Sequence, residues 1–386
     1  MTTRVVSGFD RDAWSAFPST SPLTTADWLS VMITRLPGEV FTAVRDGELG
    51  FVGALVTDPD AYEAYNPYAL LLRDPPVFGG TDSAARSRAL SELRASAATV
   101  LPALVLVAPG YLGDPVGPAR QAPDVLADCL QDVFAWGTRH TVVSCHVMYT
   151  QQTTKAVAAA VAKLGGATYP LTSRWQLPVG WQGWDDYLMQ RSGTRRAKIR
   201  RELRRCAAEG VSWGRLDVER HFERIVEARC GLLLHYRQQV DEAGERRRLR
   251  DLASRFGTRL LCFGASRHGD LLAVVVCVRH GRSLTVVYSG ASDAGFATPY
   301  AHFVAAYYAV IQSVGPADLD EIDYGIGHGE EKSLRGCRPA PLHGHVVAAD
   351  SERRRLLGIA ARWLSPGTDP VPTQETSTAA EMGTAS

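Results

Sequence analysis

Lysine is scarce in this sequence. Of the 42 basic residues among its 386, all but four are arginine, and the four lysines are Lys155, Lys163, Lys198 and Lys332. An ammonium is a compact point charge and a guanidinium a wide planar fork, so the two are not interchangeable in a tight site. Lys332 follows the glycine-rich segment 325–329. We therefore predict a specific role for Lys332, the alternative being an ordinary surface lysine.

Other features are missing as well. The seven cysteines are odd in number and form no CxxC pair, which favours scattered reduced thiols over a disulfide framework. The longest apolar runs, such as residues 271–278, have the length of a strand and fall well short of the ~20 residues of a membrane helix. Residues 10–12 are charged and precede any apolar run, unlike a secretory signal. We therefore expect a cytoplasmic protein with no membrane partner.

The charges nearly balance. A formal net charge of +1, with 45% hydrophobic and 22% charged residues, is typical of a soluble globular protein. The length suggests about two domains of ~150 residues each. A polyanion would have to be met by a local patch rather than by the whole surface, and no DNA partner is expected.

The order of predicted elements is that of an α/β (α+β) protein. Helix patterns cover residues 25–36, 82–100, 123–137 and 153–165, strand patterns cover 40–47, 49–58, 102–110 and 140–149, and Asp46-Gly47 marks a hairpin. These elements predict an N-terminal domain over residues 1–170. Residues 365–386 are rich in Pro, Thr, Ser and Glu and lack aromatics, which predicts a disordered tail.

A second domain is predicted over residues 171–364. It begins near residues 173–181, with a Trp/Pro/Gly-rich connection behind them. Helix patterns follow at 184–190, 194–209, 217–238, 241–255, 299–314 and 351–363, and strand patterns at 258–269, 270–281, 282–291, 319–325 and 343–350. Gly325, Gly327 and Gly329 resemble a dinucleotide-binding loop, but Pro339 and Pro341 leave no room for a convincing helix after Lys332. We therefore predict a strand end and a flexible turn that carries Lys332.

Residues 191–205 hold eight basic residues. Ile199 and Leu203 form a narrow apolar seam, and only Glu202 and Glu209 are available to offset the positive charge. Guanidinium forks suit phosphates, so we predict phosphate or RNA-backbone contacts there, the alternative being a solvated surface helix. The predicted phosphate-binding residues are Arg195, Arg196, Arg200, Arg201 and Arg204. The pair His343 and His345 is interpreted as structural, and no metal site is expected.

Three stretches together resemble the Fem-type (FemABX-like) peptidyltransferases and their GNAT-like N-acyltransferase relatives. They are "WDDYLMQRSGTRRAKIRRELRRCAAEGVSW" (184–213), "VVYSGASDAGFATPYAHFVAAYYAVIQSVG" (286–315) and "EIDYGIGHGEEKSLRG" (321–336). The resemblance is weaker in the N-terminal part. It implies two tandem GNAT-like acyltransferase domains with a cleft between them, and an enzyme that joins an acyl or aminoacyl group to an amine. The Fem-type branch takes the group from aminoacyl-tRNA, and other branches use acyl-CoA or other thioesters.

The resemblance also implies roles for residues. The motif lysine falls on Lys332, where it would stabilise the tetrahedral oxyanion. Asp323 and Tyr324 fall on the strand end beside it. Asp323, Glu330 and Glu331 are the candidate general bases by their position, the alternative being proton removal assisted by the substrate itself. The predicted substrate-binding residues are Tyr324, Tyr288, Tyr65 and Asn66. Two departures count against a cell-wall peptide acceptor: Glu331 and Leu334-Arg335 replace the motif's aromatics, and no coiled-coil insertion is present.

The donor is the main choice left open. Acetyl-CoA enzymes carry an R/QxxGxG/A loop, which "SDAGFATPYAHF" (292–303) does not match. This difference and the basic helix favour aminoacyl-tRNA, with no further cofactor, over acyl-CoA. The expected acceptor is a small-molecule amine in specialised-metabolite biosynthesis, such as that of an antibiotic, or in cell-wall-related biosynthesis. A non-catalytic RNA- or partner-binding protein on the same scaffold is the third alternative.

Overall fold

The structure is a computed structural model that describes residues 2–73, 77, 87, 88, 90, 91 and 96–364. The disordered tail predicted at 365–386 lies outside the described residues, as does most of the first half of the helix predicted at 82–100. The strands are numbered in chain order: β1 Arg4–Ser7, β2 Glu39–Arg45, β3 Leu49–Val56, β4 Ala103–Leu106, β5 Ser144–Thr150, β6 Ala167–Pro178, β7 Val211–Leu216, β8 Leu260–Arg267, β9 Asp270–His280, β10 Ser283–Ala291, β11 Glu321–Ile326 and β12 Arg338–Ala348.

The helices are numbered in the same way. They are α1 Arg11–Ser15, α2 Ala26–Met32, α3 Pro67–Leu71, α4 Ala97–Val100, α5 Pro123–Gly137, α6 Thr154–Lys163, α7 Trp184–Met189, α8 Gly193–Ala208, α9 Phe222–His235, α10 Glu242–Phe256, α11 Asp293–Ala297, α12 over 301–312, α13 Gly329–Leu334 and α14 Ser351–Arg362. Within α12 the segment Val304–Tyr308 is a π-helical turn. Below, α8 is called the basic helix and α13 the lysine helix.

The described residues group into two compact units. The first unit contains the chain up to Arg174, the short segment Ile326–His328 and the residues from Ala340 onward; the second contains Trp175–Gly325 and Gly329–Pro339. Residues 340–364 thus group with the N-terminal part, because β12 pairs antiparallel with β5 from His343 to Ala348. The predicted domains 1–170 and 171–364 placed these residues in the second domain. The domain boundaries at residues 170 and 364 stay a prediction.

The first unit is built on a mainly antiparallel sheet in the order β1-β2-β3-β4-β5-β12, in which β4 and β5 are parallel. The predicted hairpin joins β2 to β3 in register from Arg45↔Leu49 onward, and Gly47 supplies a positive φ of 71° at its turn. Helix α5 has the bounds predicted for it, and Leu126, Leu130 and Val133 bury its apolar face in the core.

The second unit has the sheet order β11-β10-β9-β8-β7, antiparallel except between β10 and β11. Its core includes Ile199, Phe263, Val275, Leu284 and Ile322, from the basic helix and the strands. The parallel pairing of β10 with β11 extends over only three residues, from Ser283↔Glu321 to Thr285↔Asp323. Beyond it, β10 is irregular between Val286 and Tyr288.

The helix predicted at 299–314 is present over 301–312 and contains the π-helical turn. Two elements were not predicted. Residues 173–178, near which the second domain was expected to begin, belong to β6. A six-residue helix, the lysine helix, follows the glycine turn that was expected to end in a flexible segment. Pro339 stops a helix only in its own vicinity, so a helix of six residues, about 1.7 turns, fits up to Leu334. In the part of the chain that the structure covers, no helix is long and apolar enough to cross a membrane.

Candidate active site

Lys332 is held at the end of β11 by a tight turn. Gly325 and Gly327 have φ angles of 69° and 76°, which residues with a side chain rarely adopt, so the two glycines let the strand turn directly into the lysine helix. The Lys332 side chain is buried, with 5% of the residue exposed. Its Nζ donates a hydrogen bond to the Gly325 carbonyl oxygen at 3.3 Å. A cation buried in this way requires such polar partners or a ligand.

The same glycine contacts Asp323. The Asp323 carboxylate accepts a hydrogen bond from the Gly325 N–H at 2.8 Å, and only 6% of Asp323 is exposed. Asp323 and Lys332 therefore bind opposite ends of one residue. The other two candidate bases lie on the lysine helix, where Glu330 is exposed and Glu331 is half-buried. Of the three predicted acids, Asp323 is the one that is buried and bonded to Gly325, the residue to which Lys332 also donates.

The Cys337 thiol lies near the charged groups of this turn. Burial raises the pKa of its thiol to about 12, while the nearby cations of Lys332 and Arg335 act to lower it and the Asp323 carboxylate acts to raise it. The Cys337 N–H also donates to the Lys332 carbonyl oxygen at 3.0 Å. The thiol is thus neutral and is not a nucleophile at neutral pH. Its surroundings place Lys332 and Asp323 in one small buried region.

Tyr324 points to the other side of β11, because neighbouring strand residues alternate. Its ring lies 4.8 Å from the ring of Tyr307. Its hydroxyl is buried and makes no hydrogen bond with any described residue. Burial raises the pKa of Tyr324 well above its ordinary value, so the group stays a neutral O–H donor. A buried donor without a partner is uncommon in folded proteins and suits a ligand oxygen.

Tyr288 lies on β10, next to the point where β10 and β11 separate. Its hydroxyl, too, is buried without a partner among the described residues. The Arg229 guanidinium lies 5.1 Å from the centre of the Tyr288 ring. Burial raises the pKa of the Tyr288 hydroxyl above its ordinary value. Tyr288 therefore packs against α9, whereas Tyr324 packs against α12. The structure places both tyrosines at the strand separation, each against a different helix.

The basic helix begins beside the lysine helix. Nη2 of Arg195 lies 3.5 Å from the Ser333 hydroxyl, the residue after Lys332. Four of the five predicted phosphate-binding residues are exposed: Arg195, Arg200, Arg201 and Arg204. Arg196 is half-buried, and its Nη1 donates to the carbonyl oxygens of Met189 and Arg191 at 3.4 and 3.2 Å. Arg196 therefore has a structural role that the sequence did not reveal.

Glu202 does not offset the arginines as predicted. It is fully buried and forms an ion pair with Arg335 at 2.8 Å, so its charge faces the protein interior. The buried seam of the basic helix consists of Ile199, Glu202 and Cys206, with Leu203 half-buried. The outward face is consequently more positive than the sequence suggested.

Comparison with known proteins decides the family. The FemAB-like family, described as peptidoglycan biosynthesis and recognition, matches residues 115–377, which is more than half of the chain. The chain belongs to the FemAB-like family. The predicted Fem-type resemblance is thereby confirmed. No curated protein is similar enough in sequence to count as a match.

Solved structures resemble this FemAB-like chain in fold. FemX is 9% identical over 92% of this chain and 100% of its own, with a TM-score of 0.54. A conserved protein of unknown function from Bacteroides thetaiotaomicron is 12% identical over 88% and 97% of the two chains, with a TM-score of 0.54. A tandem GNAT protein from the clavulanic acid biosynthesis pathway is 9% identical over 90% and 99%, with a TM-score of 0.42. The predicted α/β fold class is confirmed.

Tyr65 and Asn66 belong to the first unit of the FemAB-like chain and are buried there. The Tyr65 hydroxyl accepts a hydrogen bond from the Gly110 N–H at 3.0 Å. The Asn66 side chain caps α3 by accepting from the Tyr68 N–H at 3.0 Å and donates to the Pro59 carbonyl at 2.8 Å. These bonds give both side chains a structural role, and their contact with a substrate stays a prediction.

The histidine pair is also part of the first unit. Both ring nitrogens of His345 are bonded to hydroxyls, Nε2 to Thr150 at 2.7 Å and Nδ1 to Thr168 at 2.9 Å. Burial lowers the pKa of His345 to about 3, so the ring is neutral. No group of three metal-binding side chains occurs among the residues that the structure describes.

Proposed function

We propose that this FemAB-like chain is an N-acyltransferase that moves an aminoacyl group from aminoacyl-tRNA to the amine of a small molecule. The acceptor would belong to specialised-metabolite or cell-wall-related biosynthesis. One observation carries the proposal: the buried Lys332 lies on a short helix that the exposed arginine face adjoins through Arg195 and Ser333. A cation suited to stabilise an oxyanion thus lies next to a surface suited to bind phosphates.

The reaction joins nitrogen to carbon. The acceptor amine attacks the ester carbonyl, the C–N bond forms, the C–O bond to the ribose breaks, and the ribose oxygen leaves with a proton. Negative charge develops on the carbonyl oxygen in the tetrahedral intermediate. The Lys332 ammonium is the group suited to stabilise this charge, whereas the Tyr324 O–H, which points to the other side of β11 and bonds to no described residue, would bind another oxygen of the substrate. Losing one such donor typically costs about 3 kcal/mol of transition-state stabilisation.

The amine must lose a proton for the product to form. Asp323 is the candidate base that we favour, because its carboxylate lies in the buried surroundings of Lys332 through Gly325. Glu330 is exposed to solvent, and Glu331 is half-buried on the lysine helix. Proton transfer to a positioned carboxylate contributes roughly 10²- to 10⁴-fold to such reactions.

The donor's phosphates would lie on the exposed face of the basic helix. Arg200, Arg201 and Arg204 face solvent there, and the inward turn of Glu202 removes the nearest negative charge. Arginine suits a phosphate backbone because its planar fork binds two oxygens at once. Acyl-CoA also presents an activated carbonyl and phosphates, so it is the second donor to be tested.

The test is product formation in vitro. The purified protein is incubated with candidate amines and either a charged tRNA pool or a set of acyl-CoA thioesters, and products are found by mass spectrometry. We expect an amide from charged tRNA that RNase treatment abolishes. Product formation from acyl-CoA alone would show that the donor is acyl-CoA and not aminoacyl-tRNA. RNA binding without product from either donor would contradict the transferase assignment.

Variants of two lysines sharpen this test. Lys332→Met should lower kcat by about 10²- to 10³-fold, as for the loss of one oxyanion donor. Lys155→Met is the matched control, since Lys155 is exposed on α6 of the first unit and makes the same change of net charge. Equal turnover of the two variants would remove Lys332 from the mechanism.

A further inference from the structure

A charge cluster lies beneath the lysine helix. Arg335 and Glu202 are both fully buried, and Nη2 of Arg335 donates to Oε2 of Glu202 at 2.8 Å. The hydroxyl of Tyr308, on α12, donates to the same carboxylate oxygen. These three residues are far apart in the sequence, and no local sequence pattern joins them. They connect the basic helix, α12 and the segment that follows Lys332.

Arg335 is bonded to the lysine helix through both its side chain and its backbone. Its Nη1 donates to the Glu331 carbonyl oxygen at 2.8 Å, and its own N–H donates to the Lys332 carbonyl oxygen at 3.0 Å. The Tyr187 hydroxyl donates to the Arg335 carbonyl oxygen at 2.9 Å. The guanidinium therefore fixes the last turn of the helix that carries Lys332.

Aromatic rings surround the guanidinium. Its central carbon lies 4.2 Å from the ring centre of Phe303, 4.6 Å from that of Tyr307 and 5.2 Å from that of Tyr308. Tyr307 and Tyr308 are consecutive, and the π-helical turn Val304–Tyr308 changes the helical spacing at the point where both meet Arg335. Such turns occur often at functional sites. Tyr307 in turn contacts Tyr324, so the cluster extends to the candidate active site.

Stability alone is a weak explanation for this ion pair. Replacing a buried pair by apolar residues of similar volume is often neutral or stabilising, because desolvating two charges costs about as much as their attraction returns. Retaining a buried charge pair is better explained where it fixes one geometry among several. Here the geometry that it fixes is that of the lysine helix.

We propose that Glu202 and Arg335 are positioning residues that hold Lys332 in its catalytic place. This inference rests on the proposed function, because it assigns the pair to the reaction of that same lysine. Glu202 lies on the basic helix, so the pair also fixes the distance between the phosphate-binding face and Lys332. The basic helix and Lys332 would then contact the phosphates and the carbonyl of one donor molecule at a constant spacing.

The chain provides a matched control in Glu245. Glu245 is also buried, at 2% exposure, and also pairs with arginine, Arg248 and Arg229, but it lies on α10 and contacts α9 rather than the lysine helix. Glu202→Gln and Glu245→Gln remove the same charge from similar surroundings. Both should lower the midpoint of urea unfolding. Glu202→Gln should lower kcat by about 10- to 100-fold as for a displaced catalytic group, with the KM for the acceptor unchanged within about threefold. Glu245→Gln should leave kcat near the wild-type value, and an effect through Arg229 and Tyr288 should change KM instead.

A second measurement does not depend on activity. The amides of Arg335 and Cys337 both donate to the Lys332 carbonyl. In Glu202→Gln, hydrogen exchange of residues 333–337 should accelerate, and in Glu245→Gln it should not. If Glu202→Gln does not fold, Tyr308→Phe, which removes only the hydroxyl bonded to Glu202, should show the same effect more weakly.

The outcomes separate the two proposals. Unchanged exchange in residues 333–337, or equal kcat in the two glutamine variants, overturns the positioning role. Absence of product from every donor overturns the proposed function, and accelerated exchange in Glu202→Gln would then still show that the pair holds the lysine helix.

Discussion

Removing three arginines from the exposed face of the basic helix should weaken tRNA binding in a way that salt reveals. The triple variant Arg200→Gln, Arg201→Gln, Arg204→Gln takes away side chains that face solvent. It leaves untouched the inward pair of Glu202 with Arg335 and the structural bonds of Arg196. The fold should therefore be preserved while the phosphate contacts are lost.

The magnitude follows from counterion release. Each phosphate contact contributes about 0.7 to 0.9 to the slope of log affinity against log salt, so three contacts contribute about 2 to 3. Between about 50 and 200 mM salt, the wild-type affinity should therefore fall by about 20- to 40-fold more than that of the variant. A plain reduction of net charge without lost contacts predicts no such specific change of slope.

The assay is equilibrium binding of labelled charged tRNA over a salt series. The control is the triple variant Arg247→Gln, Arg250→Gln, Arg255→Gln, which changes the net charge equally but on exposed positions of α10 in the same unit. We expect the control to keep the wild-type slope. Equal slopes for the two triple variants would refute the assignment of this face to phosphates.

Three further predictions test other parts of the chain. Tyr324→Phe should lower turnover without lowering the unfolding free energy, because its hydroxyl bonds to no described residue. Tyr169→Phe removes another buried hydroxyl that bonds to no described residue and should change neither quantity; reduced turnover in both variants would contradict the reasoning. Gly336→Ala should lower the free energy of unfolding in urea by about 1–2 kcal/mol, because Gly336 has a φ of 92°. Gly183→Ala should leave this free energy unchanged, because Gly183 has an extended backbone and open space around it. Burial lowers the pKa of His146 to about 3, so below about pH 6.5 the unfolded chain alone binds this proton. On acidification towards pH 3, His146 should therefore contribute a loss of about 1.4 kcal/mol per pH unit to the unfolding free energy, beside a similar contribution from His345. His146→Asn should reduce the slope by that amount, and an unchanged slope would contradict the buried neutral ring.

Local signals predicted most of the fold. Asp46-Gly47 is a strong hairpin signal, and Pro123 stands at the first position of α5, so both elements were predicted at or near their bounds. The basic helix was predicted within one residue at each end, since Ser192 caps its start and Gly210 follows its end. In each case, residues that are adjacent in the sequence determine the structure.

The site depends on contacts that the sequence does not display. From the sequence, Glu202 resembles one more surface charge on a charged helix. Its partners Tyr308 and Arg335, 106 and 133 residues away, explain why it is buried. The lysine helix has six residues and follows two left-handed glycines, so no helical periodicity precedes Lys332. Lys332 was first singled out by the scarcity of lysine, and the family resemblance gave Lys332, Asp323 and Tyr324 their roles, which stay predictions.

Lys332 and Arg335 are three residues apart, and their surroundings explain why a chain so rich in arginine has a lysine at position 332. Arg335 replaces part of an aromatic position of the family motif, and its planar guanidinium stacks between rings while it donates to Glu202 and Glu331. Such a flat, permanently charged group suits a fixed structural position. The Lys332 ammonium donates to the Gly325 carbonyl oxygen at 3.3 Å, and as a compact point charge with rotatable donors it suits an oxyanion better than a planar guanidinium does. The departure from the family motif therefore strengthens the support of the lysine helix, because Arg335 bonds directly to the helix that carries Lys332.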